Sequence, residues 1–103
     1  VTTTKKINEL HLKYYNEALD RAMELKASKM NDYNAGKVNR FDYYLHGEQT
    51  GVDEIFKKVL RLVSLHQSGN VPENESIDDT LFDLINYSAD LYSYRRWTYG
   101  KKD

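Results

Sequence analysis

Residues 5–30 read KKINELHLKYYNEALDRAMELKASKM. Within them Ile7, Leu10, Tyr14, Ala18, Ala22 and Leu25 recur at steps of three and four, flanked by Tyr15 and Leu19. That spacing lines one face of a helix with 3.6 residues per turn. Neither glycine nor proline interrupts it, so a long helix is expected from about residue 5 to residue 30. Downstream, Val52, Ile55, Phe56, Val59, Leu62 and Val63 repeat the pattern. Thr50, with Asp53 three residues on, makes an approximate capping box at the start of this second helix. It should end near His66, ahead of Ser68-Gly69-Asn70 and the single proline, Pro72. A third helix is expected from Ser76, with Asp79 at the capping-box position, to about Trp97. Its inner face would be Ile77, Leu81, Leu84, Ile85, Ser88, Leu91 and Tyr92.

Between the first two helices, residues 31–51 lose the period. Asn31-Asp32-Tyr33-Asn34-Ala35-Gly36 is turn chemistry. Residues 38–46 hold Phe41, Tyr43, Tyr44 and Leu45 and read as a short helix or an aromatic-rich loop. No strand is credible anywhere. The expected fold is all-α, a small bundle of three main helices forming one domain over residues 1–103.

Composition narrows the function classes. The 103 residues carry 15 basic and 16 acidic side chains, a formal charge of −1, which gives no strong nucleic-acid signal and no pull toward a membrane. There is no cysteine, so disulfides, zinc–thiolate sites and thiol nucleophiles are excluded. The apolar runs are too short to span a bilayer and the first residues do not read as a signal peptide, so a cytoplasmic protein is expected. Nine tyrosines supply much of the 40% hydrophobic content, and their polar tips make a thin core. Association into a homo-oligomer is therefore expected.

On a helical wheel of the third helix, Asp79, Asp83, Asn86 and Asp90 fall in one arc, placed roughly opposite its apolar face. Two carboxylates at i and i+4 can share Mg²⁺, which makes Asp79 and Asp83 candidate metal ligands, and Asn86 could add a neutral ligand or read a base edge. The same residues also read as a cap (Asp79 with Ser76) and a solvated face (Asp83, Asp90). Tyr87 and Tyr94 lie beside the arc, which suggests that a loop or another subunit covers it. Lys57, Lys58 and Arg61 on the second helix and Lys29 near the end of the first are candidate phosphate partners. Glu54 and Lys58 equally make an ordinary i, i+4 pair. The run from Tyr92 to Tyr99 interleaves basic and aromatic residues, a composition that stacks bases or docks a helix end.

Three blocks carry a resemblance. Lys29-Met30-Asn31-Asp32-Tyr33-Asn34, Lys58-Val59-Leu60-Arg61-Leu62 and Glu75-Ser76-Ile77-Asp78-Asp79-Thr80-Leu81-Phe82-Asp83-Leu84-Ile85-Asn86-Tyr87 resemble the signatures of the nucleotide-modification-associated family DUF1599. The resemblance spans roughly residues 10–95. It implies an all-α domain, found mostly in phages and bacteria, that handles a nucleotide; a phage protein would work in the host cytoplasm. Carried over by position, it implies Lys29, Asp32, Tyr33, Lys58, Arg61, Asn86 and Tyr87 as nucleotide-binding residues, and Asp79, Asp83 and Glu75 as catalytic ones. The family is distantly similar to all-α pyrophosphatases of the MazG and dUTPase type, which hold Mg²⁺ on acidic helices at sites between subunits. Here the second helix departs from that pattern, with Lys57, Lys58 and Arg61 following Asp53 and Glu54. Three functions follow: a Mg²⁺-dependent nucleotide phosphohydrolase, a nucleotide-sequestering protein without catalysis, and a phage module that inhibits a host protein through its tyrosine-rich surface.

Overall fold

The computed structural model describes residues 3–69 and 76–100. Helix α1 spans Thr4–Ala35, α2 spans Glu48–Ser68 and α3 spans Ile77–Tyr99, with a 3₁₀ turn at Arg40–Tyr43 between the first two. Among the described residues there is no strand, as the all-α reading required.

Helix α1 begins where the Thr3 hydroxyl accepts from the Lys6 amide at 3.2 Å. It runs on through residues 31–35, which were expected to turn. Asn and Asp favour turns by hydrogen-bonding their own backbone, but the preference is worth only a few tenths of a kcal/mol per residue. Tyr33 packs against Tyr43 with ring centroids 5.2 Å apart, and that long-range contact holds the last turn helical. The 3₁₀ turn has its own capping box. The Asp42 amide donates to Asn39 Oδ1 at 3.1 Å and the Asn39 amide to Asp42 Oδ2 at 3.2 Å.

Helix α2 starts earlier than expected. Gly47, at φ 64°, takes the left-handed corner that brings the chain round. Thr50 accepts from the His46 amide at 2.8 Å, while Asp53 accepts from Gln49 Nε2 at 2.9 Å. Thr50 and Asp53 therefore lie inside the helix and do not cap it. In α3 the expected box is present: the Asp79 amide donates to Ser76 Oγ at 3.0 Å and the Ser76 amide to Asp79 Oδ2 at 3.3 Å.

Helix α3 is central, packing on both α2 and α1. Its C-terminal turns grip the 3₁₀ turn: Phe41 stacks on Trp97 at 4.7 Å and Tyr44 meets Tyr94 at 4.8 Å. Arg95 and Tyr99 reach Glu48 at the start of α2. Tyr94, Arg95, Trp97 and Tyr99 near the C-terminus thus contact their own chain.

The core is small. Ala22, Tyr44 and Leu65 are the buried hydrophobic side chains among the described residues, joined by Thr80 and Asn86. The inner face expected for α1 is only partly covered, for Ile7 and Tyr14 remain 54% and 56% exposed. Tyr92, expected inside, is 67% exposed. At 1.5 Å per residue α1 is about 48 Å long, and its first half projects past the partners that cover the second. The radius of gyration is 16.8 Å, against about 13 Å for a compact domain of this size. No described helix is long and apolar enough to cross a membrane.

Candidate functional site

The acidic arc of α3 does not sit opposite its packed face, as the wheel suggested. Three of its four members turn inward. Asn86 is buried and its Nδ2 donates to the Ala22 carbonyl of α1 at 2.9 Å. Asp83 meets Lys58 of α2 at 2.9 Å, and Asp90 is the best anchored of all. Its Oδ1 accepts from Lys26 Nζ of α1 at 2.5 Å and its Oδ2 from Arg40 of the 3₁₀ turn at 3.1 Å. The wheel shows only one helix; cations delivered by three other segments are what make an inward carboxylate affordable. Asp79 alone stays outside, at the N-terminal cap.

Arg40 is the hub. Its guanidinium lies 5.1 Å from the Tyr44 ring centroid, 5.6 Å from that of Tyr33 and 6.0 Å from that of Tyr43, a cation–π cage. Glu54 of α2 approaches it at 4.0 Å. Burial pulls the guanidinium toward its neutral form, but Asp90 outweighs that and holds its pKa above the usual value. Arg40 Nε and Glu54 Oε2 are buried without a hydrogen-bond partner.

Two cavities meet at this hub. One, of 190 Å³, is lined by Lys26, Lys29, Tyr33, Arg40, Tyr43, Glu54, Asn86, Tyr87 and Asp90. The other, of 260 Å³, shares Lys26, Arg40 and Asp90 and adds Met30, Asn39, Phe41, Tyr44 and Ser93. Each alone falls short of the ~300 Å³ at which small-molecule pockets begin. The ion-paired Lys26, Arg40 and Asp90 line both, and the lining of the two comes from α1, the 3₁₀ turn, α2 and α3. Burial first, and the Asp83 charge after the opposing effect of Lys58, raise the pKa of the Tyr87 phenol and keep it a neutral donor at the cleft wall.

Of the residues singled out from sequence, Lys29, Tyr33, Asn86 and Tyr87 come together in this cleft. Lys58 and Asp83 pair with each other on the adjoining α2–α3 face. Asp32 and Arg61 are exposed and line neither cavity. Glu75 lies outside the described residues. Lys26 and Arg40 escaped the sequence reading, Tyr43 and Tyr44 entered it only as loop aromatics, Glu54 only as a partner for Lys58, and Asp90 only as a member of the arc. Their one local signal was a lone arginine set among the aromatics of Arg40-Phe41-Asp42-Tyr43-Tyr44.

Among the described residues, each of the two carboxylates expected to share Mg²⁺ has a partner in its own chain. Asp79 is engaged in its cap and Asp83 in its ion pair. Among the described residues no three His, Cys, Asp or Glu side chains gather around a common point.

Tyr44 is a weak spot of the hub. It is 6% exposed and its hydroxyl has no hydrogen-bond partner. Burial, then the Asp90 charge, push its pKa up from 10.0 to about 12. The folded state therefore keeps a proton that the unfolded chain releases near pH 10, and the phenol's contribution is complete below pH 10 and lost by pH 12. Tyr44→Phe removes an unsatisfied polar group worth about 1 kcal/mol. Thermal melts across pH should show the variant slightly more stable than wild type at pH 7, with the gap widening above pH 10. Parallel curves would mean that the hydroxyl is solvated after all.

No curated protein and no solved structure matches the chain significantly. Residues 29–89, well over half of its length, match the family described as Nucleotide modification associated domain 1. That stretch, shorter than the span the signature blocks suggested, holds Lys29, Tyr33, Arg40, Tyr43, Glu54, Asn86 and Tyr87 and stops one residue short of Asp90. The chain belongs to the nucleotide modification associated domain 1 family, DUF1599.

Proposed function

We propose that this chain binds a nucleotide in the cleft around Arg40, holding it without hydrolysing it. The carrying observation is the juxtaposition of Lys26, Lys29 and Arg40 with Tyr33, Tyr43 and Tyr87 in one cleft of a nucleotide-associated domain. Arginine offers phosphate a planar fork and lysine a mobile point charge. Tyrosine faces give a base a stacking surface worth about 1–3 kcal/mol. Asp90 occupies Lys26 and Arg40 while the cleft is empty, and a phosphate takes over those cations when it enters. Asp83 and Asp90 are tied to cations, and Glu54 faces Arg40 at 4.0 Å, which favours retention of an intact ligand over metal-assisted attack on it.

Thermal shift against nucleoside mono-, di- and triphosphates and cyclic dinucleotides, with Mg²⁺ and with EDTA, tests this. A shift that survives EDTA, with the ligand recovered unchanged by chromatography, is the expected result. Lys29→Ala should weaken binding about tenfold, the loss of one charge-assisted hydrogen bond. Mg²⁺-dependent conversion of the ligand would make the protein a phosphohydrolase instead. No shift with any nucleotide would leave the cleft without its ligand and sink the assignment.

A further inference from the structure

The first half of α1 carries large apolar side chains that its own chain leaves uncovered. Ile7, Leu10 and Tyr14 lie on one stripe and are 54%, 44% and 56% exposed. The stripe leads into an open groove of 540 Å³ between α1 and the start of α3, walled by Tyr14, Glu17, Asp78, Leu81, Phe82 and Ile85. The accessible surface of the chain is 8199 Å². A folded monomer of 12.1 kDa exposes about 6,000 Å². The excess, about 2,000 Å² over the whole chain, is large enough to include one subunit's share of a sizeable obligate interface.

Charge says which partner fits. At 100° per residue, Lys6, Lys13, Glu17 and Glu24 fall within about 40° of one another, along one edge of the stripe. That edge is basic in its first half and carboxylate-bearing in its second, where Arg21, nearer the stripe, pairs with Glu24 at 3.2 Å. In an antiparallel pair related by a two-fold axis, the same edge of each helix meets its counterpart running the other way, so the basic half of one lies on the carboxylate-bearing half of the other. The carboxylates of Glu17 and Asp78 also wall the groove together with Arg21, leaving it one net negative charge where a basic helix end would arrive.

We infer that two copies of this chain pair through residues 6–24 of their α1 helices, antiparallel, each seating its Ile7 and Leu10 in the other's groove. The contact is isologous and closes on itself, so it buries the apolar stripe without starting a fibre. It stands apart from the nucleotide cleft, which lies at the other end of α1.

Sedimentation velocity over a wide range of concentration tests it, with circular dichroism to verify folding. Wild type should sediment as a dimer or an even multiple. Lys6→Glu with Lys13→Glu sets like charges face to face and should raise the dimer dissociation constant at least about tenfold. Adding Glu17→Lys and Glu24→Lys to that double variant reverses the whole edge and should restore association. Leu10→Glu should also dissociate the pair. A monomer at every concentration would overturn the inference. So would an oligomer indifferent to these changes, or a charge-swapped quadruple variant that stays dissociated while folded.

Discussion

Asp90→Asn should lower the Tm by about 10–20 °C. The carboxylate is 12% exposed and holds Lys26 and Arg40, themselves 27% and 16% exposed. Removing one member of a buried charge cluster typically costs about 3–5 kcal/mol, because the charges left behind are uncompensated. The remaining exposure lets water screen the two cations, which brings the expected loss to about 2–3 kcal/mol. In a chain of this size each kcal/mol moves the Tm by about 4–8 °C. The variant also has a signature that an ordinary destabilising change lacks. With Lys26 and Arg40 left facing each other, added phosphate or nucleotide should recover more stability in Asp90→Asn than in wild type. A melt shifted by only a degree or two would show that Asp90 is no anchor, and an anion response equal to wild type would separate the carboxylate from the ligand site.

The second large effect is expected at Gly51, on α2. A Cβ built there would lie 2.7 Å from Leu91 Cδ1, 3.0 Å from the Tyr44 hydroxyl and 3.1 Å from Tyr44 Cε2. Gly51→Ala gains up to about 1 kcal/mol of helix propensity, which offsets much of the strain if Leu91 changes rotamer. Gly51→Val adds two methyls on a stiff, branched carbon and must push the Tyr44 ring aside. Overpacking of this kind costs about 1–3 kcal/mol. Tyr44 is the nearest ring to Arg40, so the displacement should also disturb the cleft. Urea unfolding should place Val well below wild type with Ala close to it, and nucleotide affinity should fall for Val alone. A Val variant as stable as wild type would mean that α2 can shift away from Tyr44.

What the sequence revealed was what is encoded locally. The Ser76–Asp79 box is written within four residues, and α3 starts there. The period of α1 told its type but not its end, because Asn31, Asp32 and Asn34 favour a turn, while Tyr33 on the last turns packs against Tyr43 and Arg40 from the next segment. The cleft was hardest to read. Lys26 and Asp90 are separated by 64 residues, and Arg40 and Asp90 by 50, so no spacing rule connects them. A wheel assigns carboxylates to solvent unless a cation is known to wait for them. Lys58 and Asp83 were each picked out as site residues, yet their pairing across α2 and α3 appears only once the helices are packed. Family resemblance picked out Lys29, Tyr33, Asn86 and Tyr87, which line one cavity, where local chemistry alone left alternatives open.

Every helix and the turn between the first two donate a side chain to the hub: Lys26, Arg40, Glu54 and Asp90. Such a cleft has no existence in a partly unfolded chain. Whatever occupies it is therefore linked to the whole folding equilibrium, and at a hundredfold excess over its Kd it adds about 2.7 kcal/mol to the stability of the molecule. Among the described residues the buried apolar side chains are few, so on the proposed function a bound nucleotide would be a large part of what keeps the chain folded. Empty copies would open more often and meet a protease first, and the lifetime of the protein would become a readout of ligand concentration.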